Sequence, residues 1–274
     1  MHYYYIHITI NTHYKPNYYI GSMIRGAFGY ALKKVTCINP SYQCEGCFAQ
    51  LDCLYYRFYE EKNNFPPYRF EIELGSRRFD FGLYLFEKAC DGLPYILSAL
   101  ELMLKRNGLG KNRYLFDDFK IKVNNQEVFD GKTFKSLNIP QKCFEIDSFC
   151  PDIKLRLLTP LRIKRNNRFL RDEVELEDIL RSIYQRAEEL TTGKRAFKLE
   201  YTPEYKTSLK LLEYKPLLRK SNRQGKSMNM DGIIGEMAIW DLDKRSYKLL
   251  KLGEIIGVGK QTVMGLGRVE VEEL

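Results

Sequence analysis

Tyr3-Tyr-Tyr-Ile-His-Ile-Thr-Ile-Asn-Thr12 and, a few residues on, Ser22-Met-Ile-Arg-Gly-Ala-Phe-Gly-Tyr-Ala-Leu-Lys-Lys-Val35 carry two different periodicities. In the first stretch Ile6, Ile8 and Ile10 alternate with Tyr5, His7 and Thr9, the period of a half-buried strand. In the second, Met23, Ile24, Ala27, Phe28, Ala31, Leu32 and Val35 fall on one helical stripe. Ser22 is placed to cap that helix, and Arg25, Gly29, Tyr30, Lys33 and Lys34 lie off the stripe. Alternation resumes at Tyr68, Phe70, Ile72 and Leu74, turns at Gly75-Ser76, and returns through Phe79, Phe81, Leu83 and Leu85. Leu93 to Arg106 reads as a helix stopped by Asn107-Gly108, and Phe119, Ile121 and Val123 supply the next strand. The order β-α-β-β-α-β is the ferredoxin-like unit.

The second half repeats it. Ile153 to Ile163 is strand-like, and Val174 to Leu190 is an amphipathic helix with Gly193 past its end. Leu209 to Leu218 and Ile233 to Leu242 are extended, Tyr247 to Ile255 is a short helix, and Arg268 to Glu273 is the last strand. The expectation is an α+β chain of two tandem ferredoxin-like (RRM-like) domains, 1–150 and 151–274, joined near Ser148 to Pro151. A cysteine-rich insertion at about 37–66 follows the first helix.

With 274 residues and 44% hydrophobic side chains, two modest cores can be filled. The formal charge of +9 and sequence pI of 9.0 favour a polyanionic partner. No stretch approaches the ~20 apolar residues of a membrane helix. The N-terminus lacks a signal peptide's basic and apolar regions. A cytoplasmic protein with reduced or metal-bound thiols is expected.

Cys37, Cys44, Cys47 and Cys53 crowd into one short segment. The Cys44-x-x-Cys47 spacing suits two ligands of one tetrahedral ion, and the flanks are long enough to bring the other two. Structural zinc is the first expectation, an iron–sulfur cluster the alternative, and free structural thiols the third reading. Cys90, Cys143 and Cys150 read as packing residues.

Two basic runs lie in the second half. Ile153 to Arg171 holds Lys154, Arg156, Arg162, Lys164, Arg165, Arg168 and Arg171 and no Asp or Glu. Tyr205 to Lys226 holds seven more basic residues against Glu213 alone. Each is either a solvated face or a phosphate-binding surface. Arg219, Lys220, Arg223, Gln224 and Lys226 are the preferred RNA contacts, Gln224 also suiting a base edge or a 2′-hydroxyl. Near the C-terminus stands Gly257-Val-Gly-Lys-Gln-Thr-Val-Met-Gly-Leu-Gly267. Glu254 and Gln261 exclude a P-loop, and Thr262 excludes the dinucleotide fingerprint. Gly257, Gly259, Gly265 and Gly267, with Lys260 and Arg268, either let backbone N–H groups meet a phosphate or make a tight α-to-β connection.

That string resembles the signature of the RAMP superfamily, and most closely its CRISPR-associated pre-crRNA-processing endoribonucleases, the sixth Cas protein family. Ile24-Arg-Gly-Ala-Phe-Gly-Tyr-Ala-Leu32 is similar to that family's first-helix motif. Leu157-Leu-Thr-Pro-Leu-Arg-Ile-Lys164 resembles its central strand. Ser221-Asn-Arg-Gln-Gly-Lys-Ser-Met228 with Gly232 resembles its Ser-x-Arg-Gln…Met…Gly segment. The resemblance implies two ferredoxin-like domains and precursor crRNA bound in the cleft between them. It also implies cleavage within CRISPR repeats by a ribose 2′-hydroxyl, with no metal needed for catalysis.

Such a reaction uses a base for the 2′-hydroxyl and an acid for the 5′-oxygen. Many relatives carry a histidine beyond the first helix, whereas this chain has none after His13. Arg25 stands where some relatives have a catalytic tyrosine, a place from which it would stabilise a pentacovalent phosphate. His13, Arg25, Lys33 and Tyr42 are the catalytic candidates. The competing readings are a non-catalytic RAMP subunit that binds guide RNA in an effector complex, and a zinc-containing RNA-binding protein outside CRISPR. Oligomeric state and repeat sequence are not legible.

Overall fold

A computed structural model describes residues 1–135, 138–220 and 227–274. The chain divides into two units, Met1–Cys143 and Phe144–Leu274. The boundary lies a few residues before the expected one. The segment after it is tied to the second unit by a Ser148–Glu273 hydrogen bond and by Phe149 edge-on to Tyr247.

The first unit opens with β1 (His2–Ile10), α1 (Gly21–Thr36), α2 (Leu54–Tyr59), β2 (Tyr68–Glu71) and β3 (Phe81–Phe86). It continues with α3 (Leu93–Leu102), β4 (Phe119–Val123), β5 (Gln126–Phe129) and β6 (Lys142–Cys143). Its antiparallel sheet runs β2-β3-β1-β4-β5, with β6 also pairing β1. The first four positions are the ferredoxin-like order, with β1 central. Ile6 and Ile8 are fully buried, as are Ile24, Phe28 and Leu32 on α1. Ser22 does not cap α1: the N-cap is Ile20, without a side-chain hydrogen bond. The helix expected to reach Arg106 leaves α geometry after Leu102 and finishes as a π turn over Met103–Asn107, closed by Gly108 at φ 74°.

The second unit holds β7 (Ile153–Leu161), β8 (Lys164–Arg165), β9 (Arg168–Phe169), α4 (Leu176–Thr192) and β10 (Lys206–Lys215). Then come β11 (Leu218–Lys220), β12 (Ser227–Asn229), β13 (Gly232–Trp240), α5 (Lys244–Ile256) and β14 (Val269–Glu273). Its sheet, β10-β13-β7-β14, has the same order as the first, all pairs antiparallel. Two hairpins, β8–β9 and β11–β12, are added to the basic plan. α4 ends at Gly193 in the left-handed region and buries Ile179, Leu180 and Ile183. Among the described residues no helix is long and apolar enough to cross a membrane.

Candidate functional site

The Thr159-Pro160-Leu161-Arg162 segment at the end of β7 is the frame on which the glycine-rich loop is built. Thr159 Oγ1 donates to Gly265 O at 3.0 Å and accepts from Arg268 N–H at 2.9 Å. Pro160 O accepts from Gly267 N–H, and Arg162 O accepts from Lys260 N–H. Val258 N–H donates to Gly267 O, closing the loop on itself, and Gly259 N–H donates to Ser182 Oγ on α4. Gly257, Gly265 and Gly267 are buried, whereas Lys260 is exposed and Arg268 half-buried. The loop's glycines therefore serve close backbone packing, and its charge is what faces outward.

Arg162 is the hub. Buried, it donates through Nε to Gln261 Oε1 at 2.9 Å and through Nη1 to the Asp231 carbonyl. Asp231 also accepts Leu217 N–H at 2.7 Å, so one guanidinium joins the glycine loop to the base of the β11–β12 hairpin. Arg219 on β11 reaches back to Met264 Sδ of the loop at 3.7 Å, with its Nε buried and without a hydrogen-bond partner among the described residues. Lys220 closes β11, and Arg223, Gln224 and Lys226 lie outside the described residues. The structure thus brings Arg219, Lys260 and the glycines into one neighbourhood.

The basic runs divide. Arg156 pairs with Glu270 and Glu272, Lys154 approaches Glu236, and Arg165 pairs with buried Asp178, which Arg181 also reaches. Burial works to raise the Asp178 carboxyl. The Arg165 hydrogen bond, the Glu175 N–H and the charges of Arg165 and Arg181 outweigh it and hold the group below its ordinary range. Lys206 pairs with Asp241 and Lys210 with Glu175. Lys164, Arg168 and Arg171 make no ion pair with the described residues.

In the first unit the candidates on α1 meet α2. Arg25, Gly29 and Lys33 are spaced i, i+4, i+8 and share one face; Tyr55 and Tyr59 are i, i+4 on the facing helix. Arg25 lies 4.6 Å over the Tyr59 ring and Lys33 4.9 Å over the Tyr55 ring, the two rings themselves stacked at 5.2 Å. Tyr59 also donates to Arg25 O at 2.7 Å. A Cβ on Gly29 would sit 2.5 Å from the Tyr59 ring, so the first-helix glycine is where α2 seats. Arg25 Nε is buried with no hydrogen-bond partner among the described residues. His13 and Tyr42 are exposed in loops.

Cys37, Cys44, Cys47 and Cys53 all line one cavity of about 160 Å³, together with Ile38 and Tyr56. The donor set suits a tetrahedral ion, but the placement does not. Among the described residues no three His, Cys, Asp or Glu side chains are gathered to hold a metal, and all four cysteines are free thiols. Burial pushes the Cys44 thiol up against the pull of nearby Lys33. The zinc and iron–sulfur expectations are therefore unsupported here. Sequence reading missed α2 and its tyrosines, the hub role of Arg162, and the β8–β9 hairpin. Only the hairpin had a legible signal, the Asn166-Asn167 turn.

Two ferredoxin-like units, the second locking a glycine loop onto a Thr-Pro-Leu-Arg strand, define a protein of the RAMP fold. Residues 1–140, just over half of the chain, match the family model AF_1859_N, described as an N-terminal domain. Residues 155–269 match the model of CRISPR-associated endoribonuclease Cas6. The chain belongs to the AF_1859_N family, and its second unit is similar to Cas6. An uncharacterized protein of Archaeoglobus fulgidus is 25% identical over 93% of each chain. The solved Cas6 (TTHB231) product complex is similar over 99% of both chains, with TM-score 0.58 and 15% identity. The Cas6 (TTHA0078) product complex is similar over the full length of both, with TM-score 0.56 and 14% identity. Thermus thermophilus Cas6 (TTHB231) gives TM-score 0.53 at 14% identity over 99% of this chain and 98% of its own. These likenesses establish the shared fold.

Proposed function

We propose that this protein is a CRISPR-repeat endoribonuclease, cutting precursor crRNA by attack of a ribose 2′-hydroxyl on the adjacent phosphate without a catalytic metal. The observation that carries the reading is the Cas6 match over residues 155–269, which falls on the unit that holds the glycine loop and both added hairpins. Repeat RNA is the partner, held by Arg219, Lys220, Arg223, Gln224, Lys226, Lys260 and Arg268, with the glycines shaping the loop that carries Lys260.

Arg25 is the best-supported catalytic candidate. Its guanidinium is held over Tyr59 on the face of α1 that also carries Lys33, a position from which its charge would offset that of a phosphate. Lys33, stacked on Tyr55 beside Cys44, is a neighbour on the same face, while His13 and Tyr42 remain candidates by their exposure. Catalysis by in-line alignment of the 2′-oxygen, with Arg25 offsetting charge, needs no histidine beyond His13.

The test is incubation of a cognate repeat RNA with protein in EDTA. Cleavage to a 2′,3′-cyclic phosphate and a 5′-hydroxyl, abolished by one 2′-deoxy substitution at the cut, is expected. Arg25→Ala should slow it by ~100-fold, the usual effect of removing one donor to the developing charge. Binding without cutting favours the second reading, a guide-RNA-binding RAMP subunit, which the absence of any histidine after His13 supports.

A further inference from the structure

The β8–β9 hairpin is outside the ferredoxin-like plan and outside the residues assigned to RNA above, yet its chemistry is that of a nucleic-acid contact. It is a two-residue hairpin: Asn166 and Asn167 both adopt positive φ, 51° and 61°, the turn that matches strand twist. The register places Lys164 opposite Phe169 and Arg165 opposite Arg168. Side chains opposite each other share a face, so the hairpin has two distinct sides.

One side is anchored. Arg165 pairs with Asp178 at the start of α4, and Leu170 N–H returns to Ile163 O at 3.0 Å, holding the hairpin's base against the unit. The other side carries Phe169. Arg162 lies 4.4 Å from its ring centroid and Lys164 5.1 Å. Because Arg162 is itself fixed to Gln261 and Asp231, the ring sits on a rigid cationic support, and more than a third of the residue stays exposed. Beyond it, Arg171 lies 5.9 Å from the half-exposed Tyr214 ring, and Lys164, Arg168 and Arg171 have no acidic partner among the described residues.

The part of the Phe169 ring left in solvent, with Lys164 beside it and Arg171 on the same face both lacking an acidic partner among the described residues, disfavours a basic occupant. A flat aromatic group attached to a phosphate fits both the ring and the charges. We propose that the β8–β9 hairpin is a stacking platform for single-stranded RNA: one unpaired base lies on Phe169, and Lys164 and Arg171, on the same face, take the flanking phosphates. The assignment rests on the reading that this chain binds RNA, but not on its cutting RNA. It names the single-stranded part of the substrate as what the hairpin recognises. The Arg162 hub then couples platform and glycine loop through one side chain.

The experiment uses the full chain and a short oligouridine carrying one 2-aminopurine, with a blunt RNA duplex of equal length alongside. Wild type should quench the 2-aminopurine and bind the single strand in preference to the duplex. Phe169→Leu, which keeps bulk but removes the π face, should lose about tenfold in affinity and the quenching, a typical effect for one base–aromatic stack. Phe169→Tyr should retain both. Lys164→Ala should lower affinity and reduce the salt dependence by about one unit of slope. Unchanged affinity and quenching in Phe169→Leu overturns the platform, as does preference for the duplex. Repeat cleavage measured on the same proteins separates the two readings. Phe169-dependent oligouridine binding with no cleavage leaves the platform and removes the endonuclease; cleavage with Phe169-independent binding does the reverse.

Discussion

The glycine loop at 257–267 and the cysteine segment at 37–53 are both runs of turn-forming residues, and they are held in opposite ways. The loop is locked from outside itself: Thr159, Pro160, Arg162 and Ser182, all distant in sequence, take its N–H and C=O groups. The cysteine segment is held mainly by its own backbone, in steps from Cys47 N–H to Cys44 O, Gln50 N–H to Cys47 O and Cys53 N–H to Gln50 O, around a cavity. A turn-rich string becomes rigid when a neighbouring element supplies partners for its backbone, and stays compliant when it must satisfy itself. Substitutions in the two regions should therefore differ greatly in cost.

The sharpest contrast is between two glycines with nearly equal φ. Gly267, at φ 67°, would put a Cβ 1.8 Å from Val258 O, which belongs to a backbone that cannot retreat without breaking the loop. Gly46, at φ 68°, would put one in open space. Gly267→Ala is expected to cost about 4 kcal/mol or more, or to abolish folding of the second unit. Gly46→Ala should cost about 1 kcal/mol, the ordinary left-handed penalty. Denaturant unfolding of both measures the difference; equal effects would break the comparison.

Next in size is the hub. Arg162→Met keeps much of the buried volume but leaves Gln261 Oε1 and the Asp231 carbonyl without their donor. A loss of about 2–4 kcal/mol is expected, since two hydrogen bonds from a charged group go at once. It should be accompanied by faster proteolysis at the β11–β12 hairpin. A variant as stable as wild type would mean that the loop locks without Arg162.

How much of this was legible follows from where the partners are. The βαββαβ order in each half was readable because strand and helix periods are local, as Ile6-Ile8-Ile10 and the α1 stripe illustrate. That the Thr-Pro-Leu-Arg strand and the glycine string form one interlocked unit was not, because the bonds from Thr159 and Arg162 span about a hundred residues of sequence. Asp178 was hidden over a much shorter span: as a helix-start carboxylate it looks ordinary, and only the β8–β9 hairpin turns Arg165, 13 residues earlier, back to it. The Ser22 cap failed because its place is taken by Ile20, from which the chain enters α1 already in helical conformation. Arg25 and Lys33 were visible off the helical stripe, but nothing local announced that α2 would lay Tyr59 and Tyr55 beneath them.

Asp178 gives a smaller, pH-dependent effect. Its carboxyl is held below the ordinary range in the fold, so its contribution is fully present above the unfolded pKa of about 3.9 and is lost as pH falls through the folded value. Asp178→Asn should cost about 1–2 kcal/mol near pH 7, discounted because Arg165 is well exposed. The gap between wild type and variant should close below about pH 4. A gap that is constant from pH 7 to pH 3 would assign the effect to packing rather than to charge.

The smallest effect belongs to the cysteines. Cys44 and Cys47 are half-buried, line the cavity without gathering around a point, and leave the segment's turns to backbone bonds. Serine preserves the volume closely and replaces one weak donor with a better one. Changing both to Ser should therefore shift the melting free energy by less than about 1 kcal/mol, within the range of ordinary surface and half-buried changes. Thermal melts with and without a chelator, on protein purified without oxygen, read this directly. A shift of several kcal/mol in the double variant, matched by chelator on wild type and by one zinc or iron centre per chain, would mean that an ion supplies this segment with the outside partner the glycine loop obtains from β7. The two regions would then be locked alike, and the comparison would fail at its weaker end.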